Sequence, residues 1–267
     1  MEKKYLNLGC GNRYLKEWTN LDFVKTGPEV VACNLSEGIP FPDSSFDVVY
    51  HSHVLEHFAR DTAVNFIREC YRVLKPGGII RVAVPDLEQI VKEYLKNLDR
   101  ALGGDRQGKA DYEWIMLELF DQIVRTKPGG DMAAYWTRTV IPNENYLSSR
   151  LGHEFRMFRK KFGTTNPLKF NNGRAQSLKK RLIEWLPGGK QLSKYIELGK
   201  FRSGGEIHQW MYDRYSLGML LRDSGFGNIA DMDAFHSQIP GWETYRWLDV
   251  EEGVARKPDS LFMEATK

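Results

Sequence analysis

Two glycines separated by one residue, an aspartate eleven positions later and a histidine directly behind a glutamate are residues of this chain whose types and spacing suit chemistry. Gly9-Cys10-Gly11 follows the short apolar run Tyr5–Leu8. Backbone can turn there and pass close to a ligand, because glycine has no side chain to block approach and tolerates positive φ. A dinucleotide cradle would want a third glycine three positions on, and Tyr14 stands there instead. Asp22 ends the next apolar run, placed either to accept hydrogen bonds from two ribose hydroxyls or to serve a turn. His57, after Glu56, carries an imidazole that titrates near neutrality and can take a proton from an attacking hydroxyl; packing against the next helix is its alternative. His53, Asp86 and His208 are further acid–base candidates, each with a structural role as its alternative. Glu56 and His57 alone are too few ligands to argue a metal, and none is expected.

These groups need a scaffold that gathers strand ends. Tyr5–Leu8, Thr19–Phe23, Val30–Cys33, Phe46–Tyr50 and Ile79–Val84 read as strands buried on both faces. Only a stub of helix, around Leu15–Trp18, fits between the first two. A helix capped by Asp61 or Thr62 would bury Val64, Ile67, Tyr71 and Leu74 and be stopped by Pro76-Gly77-Gly78. Leu87–Leu102 and Tyr112–Val124 read as helices, while residues 127–205 are less periodic and broken by Pro-Gly and Gly-Gly pairs. A helix over Tyr215–Ser224 and strands over Asn228–Met232 and Leu261–Ala265 complete the pattern. The expected fold is α/β: a Rossmann-like seven-stranded, mostly parallel sheet with a large helical insertion after strand 5. Residues 1–86 and 206–267 would build the sheet, and residues 87–205 the insertion.

Composition, with 42% hydrophobic and 27% charged residues in 267, excludes a fibre, a solenoid or a disordered chain. The first apolar run turns at Gly9, too short for a signal peptide, and no stretch approaches the ~20 apolar residues that span a bilayer. Cys10, Cys33 and Cys70 lack metal-ligand spacing, so a reducing, cytoplasmic setting is expected.

Five motifs stand in the order and spacing of the class I S-adenosylmethionine-dependent methyltransferases of type 11. They are Leu6-Asn7-Leu8-Gly9-Cys10-Gly11-Asn12, Asn20-Leu21-Asp22, the run from Ile39 to Val49, Val54-Leu55-Glu56-His57 and Arg72-Val73-Leu74-Lys75-Pro76-Gly77-Gly78. Leu220 to Phe226, ahead of the last strands, is similar as well. The resemblance implies S-adenosylmethionine as cofactor, with S-adenosylhomocysteine as product. It implies that Leu8, Gly9, Cys10, Gly11 and Asn12 line the methionine and ribose. Asp22 would hold the ribose, Phe23 would lie beside the adenine with Leu35 nearby, and His51 and Ser52 would flank the transferable methyl. Asn34 stands where the family usually has an aspartate meeting the adenine amino group. The insertion would supply a lid.

Between Arg150 and Arg202 the net charge is +11, against +3 for the chain, so the remainder is about −8. Aromatics interleave: Phe155, Phe158, Phe162, Phe170, Trp185, Tyr195 and Phe201. Such a stretch suits an anionic membrane surface, a lipid-linked saccharide or a nucleic-acid backbone, or it is a solvated basic face. The stretch from Gly204 to Tyr215 more loosely resembles bacterial methyltransferases of surface polysaccharide assembly. That resemblance implies O-methylation of a sugar, with Trp210 or Tyr212 stacking and His208 and Asp213 as polar contacts. The rivals are a nucleic-acid or small-molecule methyltransferase and a non-catalytic cofactor-binding module. For nucleic acid, His51-Ser52-His53-Val54 lacks the Pro-Pro-aromatic loop that grips a flipped base.

Overall fold

The computed structural model describes residues 3–163 and 178–267. They divide into two compact units, one of residues 1–92, 149–153 and 209–267, the other of residues 93–148 and 154–208.

The first unit is built on β1 (Tyr5–Leu8), β2 (Thr19–Asp22), β3 (Val30–Ala32), β4 (Phe46–Ser52), β5 (Leu74–Pro85), β6 (Gly227–Met232) and β9 (Ser260–Thr266). These form one seven-stranded sheet in the order β3-β2-β1-β4-β5-β9-β6. Only β9 runs against its neighbours, so the sheet is Rossmann-like and mostly parallel. Strand order reverses between β1 and β4, where Leu8 pairs with His51. In open α/β sheets the crevice outside the strand ends at such a reversal is where ligands bind. A two-stranded hairpin, β7 (Val250–Glu251) with β8 (Val254–Ala255), stands apart from the sheet.

One face is covered by α1 (Arg60–Val73) and α9 (Arg214–Asp223). Ala63, Phe66, Ile67, Cys70 and Val73 recur at three- and four-residue spacing on α1 and are buried with Leu6, Leu8, Val49, Ile80 and Val82 of the strands. The helix starts at Arg60 behind Ala59, which makes no side-chain cap, rather than at Asp61 or Thr62. Asp61 instead sits in the first turn, where its charge favours the helix dipole. Nor does the glycine pair end it: the helix stops at Val73, and Pro76-Gly77-Gly78 lies within β5. The ring of Pro76 already disfavours helical backbone at Lys75.

The opposite face carries no helix between β1 and β2; residues 15–18 form only a turn, so the expected stub is absent. Ile239, Trp242 and Leu248, from the chain around α10 (Trp242–Tyr245), bury Trp18, Val48 and Tyr50 in its place. Arg81, fully buried on β5, pairs with Asp249 at 2.9 Å and Glu264 at 2.8 Å and ties this segment to the sheet.

Starting within α2 (Leu87–Leu102), the second unit comprises α3 (Arg106–Val124), α4 (Gly130–Trp136), most of α5 (Glu144–Leu151), α6 (His153–Phe162) from its second residue on, α7 (Leu178–Trp185) and α8 (Gly189–Arg202). Its core is aromatic: Trp114 packs on Tyr135 and Trp136, and Trp136 on Phe155 and Phe158. Residues 149–153 belong to the first unit, where His153 N–H donates to the Arg256 carbonyl at 3.2 Å. Among the described residues no helix is long and apolar enough to cross a membrane. Phe170, Lys169 and Arg174 of the basic stretch lie outside the described residues.

Candidate functional site

The chain leaves β1 through Gly9, whose φ of 63° lies in the left-handed region that glycine occupies without strain. A Cβ on Gly9 would come within 2.3 Å of Val54 Cγ2, so the bend lies directly against the loop that follows β4. Gly11, at φ 53°, differs: nothing lies within 4 Å of where its Cβ would be, so backbone faces open space. Its N–H donates to Asp22 Oδ2 at 2.8 Å, while Val24 N–H donates to Oδ1 at 3.1 Å. Both oxygens are thereby oriented, and each keeps a lone pair for a further donor. Thr26 Oγ1 donates to the Gly11 carbonyl and clips the two loops together.

Beyond Asp22 the surface turns apolar. Phe23, Val24 and Val31 are 67%, 60% and 56% exposed, large side chains with little protein against them at the ends of β2 and β3. Leu35 is buried close to these strands, Leu8 is in the core and Asn12 is exposed after the bend. Burial, helped by Asp22, pushes the Cys10 thiol up to about 12, which leaves it protonated and unreactive. Asn34 is committed locally: its oxygen accepts from Ser36 N–H at 3.2 Å and Ser36 Oγ at 2.8 Å, and its nitrogen donates to Glu37. The carboxamide caps the turn Leu35–Glu37. An open backbone bend, an oriented carboxylate with acceptor capacity and an exposed apolar rim together fit an adenosyl group.

His51 and Ser52 end β4. The His51 ring is fully buried, set edge-on against Phe66 at 5.1 Å, and neither ring nitrogen finds a protein partner. Desolvation lowers its pKa from 6.5 to about 4, with Glu56 opposing, so His51 is neutral at physiological pH.

The next residues make a chain of side chains that sequence did not suggest. His53, at φ 56°, bends so that Nδ1 is 3.2 Å from Glu56 Oε1 and Nε2 2.8 Å from Ser260 Oγ. Positive φ at a non-glycine residue costs on the order of 1–3 kcal/mol and persists only where its surroundings impose it. The Glu56 carboxylate, fully buried, thus faces His53 rather than serving only its sequence neighbour. His57 is half-buried in the turn Leu55–His57, its N–H donating to the Val54 carbonyl and its own carbonyl accepting from Gln209. Asp86 caps α2, accepting from Gln89 N–H at 3.1 Å, and burial raises its pKa. His208 belongs to the second unit, where it is buried and its N–H donates to the Gln122 carbonyl.

The strip Gln209–Tyr212 runs along the ends of β4 and β5. Gln209 N–H donates to the Glu56 carbonyl at 2.7 Å, and Leu87 N–H to the Tyr212 carbonyl at 2.9 Å. Beside it opens a cavity of about 440 Å³ between α1 and α9, walled by Trp210, Tyr212, Tyr215, Arg60, Asp61 and Asp223. The Arg60 guanidinium stacks 4.7 Å from the Trp210 ring. Tyr212 is buried at this wall, its phenol raised to about 12 by desolvation and Glu56. Asp213 is spent on the capping box that starts α9, accepting from Ser216 N–H at 2.7 Å.

Residues 13–82 match the family described as "Methyltransferase domain", from the loop after the glycine bend to the middle of β5. Over these residues the chain is similar to a methyltransferase domain, and its sheet is the Rossmann-like one such a domain needs. A probable S-adenosylmethionine-dependent methyltransferase of Mycolicibacterium smegmatis is 49% identical over 53 residues, 20% of this chain and 20% of the relative. A ubiquinone/menaquinone biosynthesis C-methyltransferase of Xanthomonas oryzae is 41% identical over 71 residues, 27% of this chain and 26% of the relative. The similarity thus spans about a fifth to a quarter of these curated relatives' length. A solved SAM-dependent methyltransferase from Archaeoglobus fulgidus overlays 99% of this chain and 86% of its own at 12% identity, with a TM-score of only 0.42.

Proposed function

We propose that the chain is an S-adenosylmethionine-dependent methyltransferase that methylates a hydroxyl of a saccharide. The observation that carries the cofactor is Asp22, whose two oxygens are held by Gly11 and Val24 beside an open bend and an exposed apolar rim. S-adenosylmethionine supplies an electrophilic methyl on a sulfonium, so the protein's work is alignment, exclusion of water and removal of one proton. Asp22 would accept from the two ribose hydroxyls, with Phe23 and Val31 against the adenine. Neutral His51 would add no positive charge to repel the sulfonium.

For the proton, the arrangement supports His53 in preference to His57. His53 Nδ1 lies 3.2 Å from Glu56 Oε1, and in the tautomer that carries the proton on Nδ1 the Nε2 lone pair would accept from the Ser260 hydroxyl. A substrate hydroxyl that displaces Ser260 would pass its proton to Nε2, and Glu56 would stabilise the imidazolium. The saccharide reading rests on the aromatic and carboxylate walls of the cavity beside Trp210: aromatic rings stack on sugar faces, and Asp61 and Asp223 accept from hydroxyls. The loose resemblance of residues 204–215 to polysaccharide-associated methyltransferases points the same way.

The test is transfer of a labelled methyl from the cofactor into saccharide, nucleic-acid and small-molecule fractions of cell extract. Label in the saccharide fraction that falls with Trp210→Ala is expected. Label confined to nucleic acid or quinone-like lipid would reject the saccharide while leaving methyl transfer intact.

A further inference from the structure

We propose that the hairpin of α7 and α8 is a docking surface for an anionic lipid bilayer. The aromatics of the basic stretch separate into two groups. Phe155 is buried against Trp136, and the half-buried Phe158 packs edge-on against Trp136 and tilted against Phe162, so these three pack onto the aromatic core of the second unit. Trp185 and Tyr195 are instead 85% and 61% exposed, together with Leu182 at 67%, Leu186 at 55% and Leu192 at 51%. Five large apolar side chains within fourteen residues of one hairpin are thereby left to solvent, a density that marks an interaction surface rather than scattered surface hydrophobes.

The hairpin hides its small residues and displays its large ones. Gly189 is buried at the turn, where a Cβ would strike the Ile183 carbonyl at 1.7 Å, and Ser193 is buried and donates to Glu184 of the facing helix at 3.2 Å. The helices approach closely through these positions, which turns Leu182, Trp185 and Leu186, spaced three and four apart, outward as one stripe. Residues 178–202 carry net charge +5, with Lys190 and Lys194 exposed on α8.

Charge and shape choose the occupant. Basic residues draw a protein to anionic headgroups, and a tryptophan with neighbouring leucines suits the boundary between headgroups and acyl chains. A nucleic-acid backbone would use the lysines and stack on the aromatics, yet it would gain nothing from Leu182, Leu186 and Leu192. This surface stands independently of whether the chain transfers a methyl group.

Full-length protein is sedimented with vesicles of phosphatidylcholine alone and of phosphatidylcholine with about 30% phosphatidylglycerol, at low and high salt. Binding to the anionic vesicles at least ~tenfold stronger than to neutral ones, and weakened by salt, is expected. Trp185→Ser combined with Leu186→Ser should lower that binding about tenfold or more, as should Leu192→Ser with Tyr195→Ser on the other helix. Helical circular dichroism and S-adenosylhomocysteine affinity should stay as in wild type, which separates this result from misfolding and from failure of the cofactor reading. Equal binding to both vesicle types, or folded variants that bind like wild type, would overturn the proposal. So would a wild-type dimer that the same substitutions dissociate with no vesicle binding, or retention on RNA without retention on vesicles.

Discussion

Acidification should destabilise the sheet through His51, by an amount its burial sets. The ring is fully buried with neither nitrogen bonded to protein, and its pKa falls from 6.5 to about 4. In the unfolded chain it protonates near 6.5; in the fold it resists until about 4. The unfolded state therefore binds the extra proton first as pH drops, so the contribution of His51 to stability is complete above 6.5 and is lost between 6.5 and 4. A shift from 6.5 to about 4 corresponds to about 3 kcal/mol in total. His51→Leu keeps the bulk, removes the titration and removes two buried nitrogens that lack partners. It should match or exceed wild type at pH 7.5, because a buried unsatisfied polar group costs about 1–3 kcal/mol. Two assays bear on this. Histidine chemical shifts followed against pH, with the His51 signal identified by its loss in the variant, should give one of the chain's six histidines a midpoint near 4. Urea unfolding at a series of pH values should show wild type losing stability relative to His51→Leu as pH falls below 6.5. A His51 midpoint above 6, or parallel pH profiles for the two proteins, would refute the reasoning.

Replacing His53 with Ala should lower kcat by about 10²–10⁴-fold with cofactor affinity unchanged. Glu56→Gln should give an intermediate loss together with a shifted pH–rate profile, and an unchanged kcat in both, with loss in His57→Ala instead, would move the base to His57. Gly9→Ala should destabilise by about 1–3 kcal/mol, from φ strain and from the clash with Val54. Adding Val54→Ala relieves only the second part, so a double variant as stable as wild type in thermal melts would contradict the strained bend.

Much of the scaffold was legible because burial on both faces writes itself as continuous apolar runs. The strands around Leu6, Leu21, Val49 and Val82 were marked this way, and Leu87–Leu102 was read to its ends. The glycine bend and Asp22 could be read because their chemistry is local, a turn followed by a strand end. The cover over Trp18 and Tyr50 could not, since it comes from Ile239 and Trp242, more than 200 and 180 residues away in sequence. Ser260 escaped for the same reason: only the antiparallel pairing of β9 with β5, which sets Ser260 opposite Pro85, brings its hydroxyl to His53. At Asn34 the residue type was informative, yet a local cap competes for the side chain, as Asn at the start of a helical turn commonly does. Sequence also could not sort the aromatics of the basic stretch into core and surface, because each sits in a similar run of charge.

The adenosyl berth around Asp22 is tested most directly by titrating S-adenosylhomocysteine into wild type and Asp22→Ala in a calorimeter. Saturable heat with wild type, and an affinity lower by about 10–100-fold in the variant, is predicted from the loss of hydrogen bonds to a charged group. No heat with wild type, or equal affinity in the two proteins, would contradict the account.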